Sequence, residues 1–201
     1  MPPQQAALRR SERQRDARRS ILDSATEVLR RDGADALTMR RVAARSGCSA
    51  PTLYHYFRDK TALLDAMLEA AFAELVAELD RLPIERDPLA ALRVQCLAIV
   101  RFSLANPTHF RLMSEARPDD TPPLSSHAQA QQRLESPLAR LAAAGRLRVE
   151  LETAKQSLWS LLHGLVSIQA SRPDVAWSAD LAPTSLDALI RGLLRPARSR
   201  R

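Results

Sequence analysis

SGCSAPTLYHYFRDK, residues 46–60, sets a glycine, a proline, three aromatics and a lysine close together in a chain otherwise rich in Ala, Leu and Arg. Only 4% of the chain is aromatic, so Tyr54, Tyr56 and Phe57, clustered around His55, mark a surface built to touch something. Spacing divides the stretch further. Gly47 is where a short helix stops, and Ser49 stands where a hydroxyl caps the next one. Pro51 is tolerated in that helix's first turn, where its missing N–H has no intrahelical partner. Leu53, Tyr56 and Phe57 then fall at i, i+3 and i+4 toward a core, which leaves Ala50, Thr52, Tyr54 and His55 facing outward or sideways.

The flanking sequence is helical in both directions. Upstream, Thr38 is an N-cap candidate for a short helix that turns Met39, Val42 and Ala43 inward. Before it, Ile21, Leu22, Ala25, Val28 and Leu29 form one face of a helix expected to end near Gly33, where a left-handed cap suits glycine. Downstream, Arg58-Asp59 breaks the run. A long helix follows over about 60–80, with Leu63, Leu64, Met67, Leu68, Ala71, Leu75 and Leu79 as its stripe. Further helices are expected over about 89–105, 107–116, 124–144, 152–171 and 184–195, punctuated by Asn106-Pro107 and Gly145. Prolines at 118, 122 and 123 make 117–123 an expected mobile loop, and the tail RPARSRR an expected disordered end. Strand signals are weak, and there are only five glycines. The fold class is therefore all-α, with about nine helices: an N-terminal three-helix helix-turn-helix domain joined by a long helix to a C-terminal helical bundle.

Composition narrows the function classes. With 201 residues and 45% hydrophobic content, the chain can bury a real core. Cys48 and Cys96 have no Cys or His neighbours at metal-ligand spacing, which argues against a disulfide framework, a zinc site and a secreted life. The arginine-rich N-terminus is not followed by the apolar stretch of a signal peptide, and no run approaches the roughly 20 apolar residues of a membrane span. A cytoplasmic protein with no membrane partner is expected. The net charge of +7 is concentrated in the first third: residues 1–60 hold 13 Lys+Arg against 7 Asp+Glu, and the remainder 17 against 16. That field attracts phosphate backbones, or else belongs to a solvated arm. The six arginines between Arg9 and Arg19 fit either an arm entering a minor groove or a disordered tail. The four histidines are dispersed, no serine sits in a nucleophile turn, and no Gly-rich phosphate loop occurs. No catalytic residue, metal site or cofactor is expected.

Two short helices joined by a tight turn at Gly47-Cys48-Ser49 have the spacing and capping of a helix-turn-helix. Its second helix enters a major groove by its N-terminal end, where small residues allow close approach. Over Arg19–Leu64 the residues RRSILDSATEVL, Gly33, Thr38-Met-Arg-Arg-Val-Ala43 and SGCSAPTLYHYFRDKTALL resemble the N-terminal domain of the TetR family of bacterial transcriptional regulators. The resemblance implies that Thr38 binds a phosphate at a helix N-terminus and that Arg40, next to Arg41, reaches a base edge. Ala50 and Pro51 open the recognition helix; Ala50 departs from the longer polar residues of other members and offers only apolar contact. His55 and Ser49 are lesser readers. Thr52, Tyr54 and Lys60 match phosphate-gripping positions, while Leu53 and Phe57 match core positions.

The remaining two-thirds resembles members whose effector domain carries Trp-x-x-x-His-Gly, here Trp159-Ser-Leu-Leu-His163-Gly164. Trp159 and His163 lie one turn apart. His163 serves either as a core histidine or as a ligand contact, and Cys96, Phe102, Phe110 and Met113 serve either as core or as pocket lining. The implied partners are a double-stranded DNA operator, a small-molecule effector and a second copy of the chain, docked through about 152–171 and 184–195. The expected division is a basic, disordered arm over 1–17, a helix-turn-helix DNA-binding domain over 18–64, an effector and dimerisation domain over 65–195, and a disordered tail over 196–201. The rival expectation is an all-helical small-molecule-binding protein or enzyme in which the helix-turn-helix is only structural.

Overall fold

Ala25 has no exposed surface, and Ile21, Val28 and Leu29 retain 3% or less, so the apolar stripe turns one face of the first helix inward. The computed structural model describes residues 3–114 and 124–196. The expected loop over 117–123 and the tail beyond Pro196 lie outside the described residues. Among those described, nine helices follow in order: α1 (Pro3–Asp32), α2 (Met39–Ser46), α3 (Ala50–Tyr56), α4 (Lys60–Asp80), α5 (Pro88–Ala105), α6 (Pro107–Ser114), α7 (Ser125–Ala143), α8 (Leu151–Ser171) and α9 (Leu181–Leu193).

The chain divides into two compact units, Met1–Ala70 and Ala71–Arg201. The division lies six residues beyond the expected one at 64/65, so that the first unit takes about three turns of α4, while the buried stripe of that helix runs on to Leu79. A second departure is the basic arm. Residues 3–17 are not disordered but continue α1 toward its N-terminus. No Gly or Pro interrupts the sequence between Pro3 and Gly33, and Pro3 stands at the first helical position, where its lack of an N–H is harmless.

The first unit is built by α1, α2, α3 and the start of α4, with α2 packed on α1 and α3 on α2. Val42, Leu53 and Leu63 are completely buried, and Phe57 retains 2%. Met39, expected inside, is only half-buried. The turn between α2 and α3 is set by Gly47 at φ +68°, with the Cys48 N–H donating to the Ala43 carbonyl at 3.2 Å. This bond runs six residues back and satisfies a carbonyl that the helix end would leave orphaned.

In the second unit α5 packs against α6, α7, α8 and α9. Leu92, Cys96 and Val100 of α5 form a core with Leu138 and Leu141 of α7, Leu158, Leu162 and Val166 of α8, and Leu186 and Ile190 of α9. One helix among the described residues, α5, is long and apolar enough to cross a membrane by length and composition alone, although it carries Arg93 and Arg101. Its apolarity follows from having helices packed around it. The segments before α8 and after α9 are tied by two short bonds, Arg148 N–H to the Leu193 carbonyl and Arg195 N–H to the Arg146 carbonyl, each 2.8 Å.

A β-carbon added at Gly47 meets nothing within 4 Å, so Gly47→Ala costs only the backbone strain of a left-handed alanine. That strain is about 1–2 kcal/mol, read as a lower denaturation midpoint with an unchanged m-value.

Candidate nucleic-acid interface and effector region

The local signals that start α2 and α3 also aim their ends. The Thr38 hydroxyl oxygen accepts the Arg41 N–H at 3.3 Å, so its own proton is free to donate outward. The Ser49 oxygen accepts the Thr52 N–H at 3.2 Å, and the two hydroxyls share one further bond at 2.8 Å. Two protons enter that pair and one bond uses one of them, which leaves one donor facing solvent.

Thr38, Arg40, Arg41, Ser49, Ala50, Pro51, Thr52, Tyr54, His55 and Lys60 are all exposed, whereas Leu53 and Phe57 between them are buried. Tyr54 keeps 52% of its surface open, unusual for an aromatic with nothing to meet. Tyr56 is half-buried and meets the His55 ring edge-on at 5.5 Å. The two adjacent arginines differ. Arg41 lies 3.4 Å from Asp32, while Arg40 forms no ion pair within the described residues and keeps its guanidinium available.

The start of α4 carries a feature that residue spacing did not bring out. Asp59 Oδ1 accepts the Ala62 N–H at 2.8 Å and its other oxygen accepts from Arg58 at 2.9 Å. The backbone bond first, then Arg58, holds the Asp59 carboxyl below the usual range. The cap is therefore present at neutral pH and is lost as pH falls through that lowered value. With a carboxylate already on the helix end, Lys60 can offer an anion its ammonium but not an uncapped helix terminus. The Asp three residues ahead of Ala62 was the signal for this cap.

Arg18 is the other contact not foreseen. Its guanidinium carbon lies 5.1 Å from the centre of the Phe57 ring, a cation–π contact that holds α1 against the end of α3.

Of the six effector-region residues, Phe110, Trp159 and His163 meet through their rings, while Cys96, Phe102 and Met113 stand in other surroundings. Cys96 is fully buried in the α5 core, and burial pushes its thiol up to about 12. Phe102 is buried beside His109, 6.4 Å between ring centres. Phe110, Met113 and His163 are half-buried. Trp159, which the Trp-x-x-x-His-Gly resemblance set among the pocket candidates, is 62% exposed on α8, at the margin of the side that buries Leu158, Leu162, Leu165 and Val166. His163 joins two of the others, with ring centres 5.2 Å from both Trp159 and Phe110. One open depression of this unit is lined by Ala128, Gln131, Gln132, Glu135, Ser136 and Ala139, and none of the six residues borders it.

Residues 21–67 match the family described as "Bacterial regulatory proteins, tetR family", and residues 92–193 match "Tetracyclin repressor-like, C-terminal domain". The HTH-type transcriptional repressor KstR of Mycobacterium tuberculosis is 30% identical over 178 residues, covering 86% of this chain and 81% of that protein. The tetracycline repressor protein class A from transposon 1721 of Escherichia coli is 46% identical over 55 residues, 27% of this chain and only 26% of its own length. A solved structure of a protein of unknown function from Rhodococcus sp. RHA1 superposes with a TM-score of 0.75 at 26% identity, covering 89% of this chain and 96% of that one.

The two thiols should react very differently. With an uncharged alkylating reagent at pH 8, the half-buried Cys48 is modified in the native protein. Cys96, inaccessible and almost wholly protonated, is modified only after unfolding; peptide mass spectrometry separates the two.

Proposed function

Because this chain belongs to the TetR family of bacterial regulatory proteins, we propose that it is a homodimeric repressor whose first unit reads a palindromic operator and whose second unit answers to a small molecule. The chain is a DNA-binding transcriptional regulator and not an enzyme, which sets aside the rival reading of a merely structural helix-turn-helix. The observation that carries the finer assignment is the alternation along α3. Leu53 and Phe57 are buried while Ala50, Pro51, Thr52, Tyr54 and His55 stay exposed, so the helix is fixed by one side and presented by the other.

Arg40 is the base reader in this proposal, since its guanidinium is unpaired and an arginine is bidentate to guanine. The spare hydroxyl protons at Thr38 and at the Ser49–Thr52 pair, the Tyr54 hydroxyl, and the Arg41 and Lys60 cations hold phosphates. Ala50 leaves room for close approach and offers at most contact with a thymine methyl. Two copies must present their α3 helices roughly 34–36 Å apart to meet successive major grooves.

The partner surface is supported by α8 and α9. On α8, Gln156, Trp159, Ser160, Gly164, Ile168 and Ser171 are exposed along one side, and on α9 Thr184, Ala188 and Gly192 are exposed. A β-carbon at Gly164 or Gly192 meets nothing within 4 Å, so neither glycine serves close packing inside the protomer. An exposed tryptophan flanked by small residues suits a helix of a second copy laid against it. An effector that binds one arrangement of the second unit better than another shifts the population of DNA-competent dimers, with α4, which contributes to both units, as the connecting element.

The reading is tested by selecting bound duplexes from a random pool and measuring their affinity against scrambled competitors; binding without sequence preference overturns it. On the selected site, Arg40→Ala costs about 1–3 kcal/mol and relaxes preference at one base, whereas Lys60→Ala weakens all sequences alike and lowers the salt slope by about 1. Trp159→Glu, at a position exposed in the protomer, leaves the fold and helicity intact but converts the dimer to monomer in light scattering and weakens operator binding. A Trp159→Glu protein that stays dimeric removes this face from the interface.

A further inference from the structure

The last turns of α1 before its core stripe have no apolar work to do. Among the residues of α1 whose burial is described, Ile21 is the first buried one, and Arg9 stands twelve residues before it, about 18 Å along a helix. Over that overhang Leu8 is 61% exposed. A helical segment of this length is marginal in water without something to rest on.

What it carries is arginine. In the rest of the first unit, four of the six arginines have carboxylate partners: Arg30 and Arg45 meet Glu27 at 2.7 and 3.4 Å, Arg41 meets Asp32 at 3.4 Å, and Arg58 meets Asp59 at 2.9 Å, with Arg31 and Arg40 the exceptions among the described residues. Arg9, Arg10, Arg13 and Arg19 are exposed and form no ion pair among the described residues, although Glu12 and Asp16 lie on the same helix. Arg15 instead donates to the Ser11 hydroxyl at 3.2 Å, and Arg18 lies over Phe57. At 100° per residue, Ser11, Gln14, Arg15 and Arg18 share the side of α1 that continues its core stripe, Arg10 lies at the margin of that side, and Arg9 and Arg13 fall away from it.

The overhang is also continuous with α3. Ser11, Gln14, Arg15 and Arg18 line an open depression together with His55 and Tyr56. His55 belongs to the exposed side of α3, so the arginine-bearing helix borders the surface that reads DNA.

We infer that the α1 overhang is a second nucleic-acid surface, on which Arg9, Arg10 and Arg13 hold phosphates of duplex flanking the operator. The inference rests on the reading that the first unit binds DNA. Guanidinium groups without internal partners match phosphate oxygens in charge and in bidentate geometry. The overhang has no aromatic or apolar cluster with which to enter a lipid surface. Because the contacts fall on the backbone, they lengthen the footprint and raise affinity without adding sequence preference.

The test uses the full chain and the selected operator in two duplexes. One is trimmed to the base pairs that set preference, and the other is extended by about one helical turn on each side. Affinity is followed across a salt series by fluorescence anisotropy for the wild type and for R9Q/R10Q/R13Q. On the extended duplex the triple variant should lower the slope of log K against log salt by about 2 to 3, since each phosphate contact contributes roughly 0.9. On the trimmed duplex the two proteins should coincide, which also shows that the variant is folded. An unchanged slope on the extended duplex makes the overhang a solvated arm and overturns the inference. An equal loss on both duplexes overturns the flanking position. A wild type that shows no sequence preference, while the triple substitution still lowers its slope on extended duplex, sinks the operator reading and leaves this one standing.

Discussion

Gly47 adopts φ +68°, a conformation in which any side chain would be strained, and the first unit is arranged around that one backbone choice. The reversal it creates lets α3 leave α2 at an angle that buries Leu53 and Phe57 while Thr38 and Ser49 cap two helix ends that both face solvent. The turn, the caps and the buried pair depend on one another. Without the reversal the caps would aim elsewhere, and without the buried pair α3 would have nothing to hold it. The six-residue bond from Cys48 to Ala43 gives the turn its register, which is why a protein this rich in helix spends one of its five glycines here.

Charge is divided between groups that are satisfied inside the molecule and groups that are not. Glu27, Asp32 and Asp59 are engaged by arginines of their own unit, and such exposed pairs add little stability. Their effect is to neutralise part of the basic surplus and leave the rest concentrated. Arg31, Arg40, Lys60 and the arginines of the α1 overhang are what remains among the described residues of the first unit. The Asp59 cap sharpens this picture, because it places a carboxylate on a helix end that would otherwise attract phosphate by itself.

In the second unit one helix is surrounded and another is left open. α5 has so many neighbours that its composition approaches that of a membrane span, and Cys96 within it is an inert core thiol. α8 buries Leu158, Leu162, Leu165 and Val166 on one side and exposes Trp159 and Ile168 at that side's two margins. The His163 ring lies between these situations, touching Trp159 on the outer face and Phe110 of α6. A shift of α6 would therefore be felt at the face of α8 that a second copy would cover.

Much of this was legible in the chain itself, because helix periodicity, caps and left-handed glycines are local properties. The stripe of α1, the stops at Gly33, Gly47 and Gly145, the caps at Thr38 and Ser49 and the burial of Leu53 and Phe57 all follow from residue type and spacing. So does the outward placement of Ala50, Thr52, Tyr54 and His55. What the spacing of Trp159 and His163 left open was which side of α8 faced inward, since a helix apolar around most of its girth has no preferred side until α5, α7 and α9 choose one. The arginines of the arm fitted either a groove-entering arm or a disordered tail, while its helix-forming residues, uninterrupted as far as Gly33, extended α1. Which arginines are paired, and which are left for a partner, was decided only by the fold, because Arg41 and Asp32, or Arg45 and Glu27, meet across separate helices that sequence separation does not bring together.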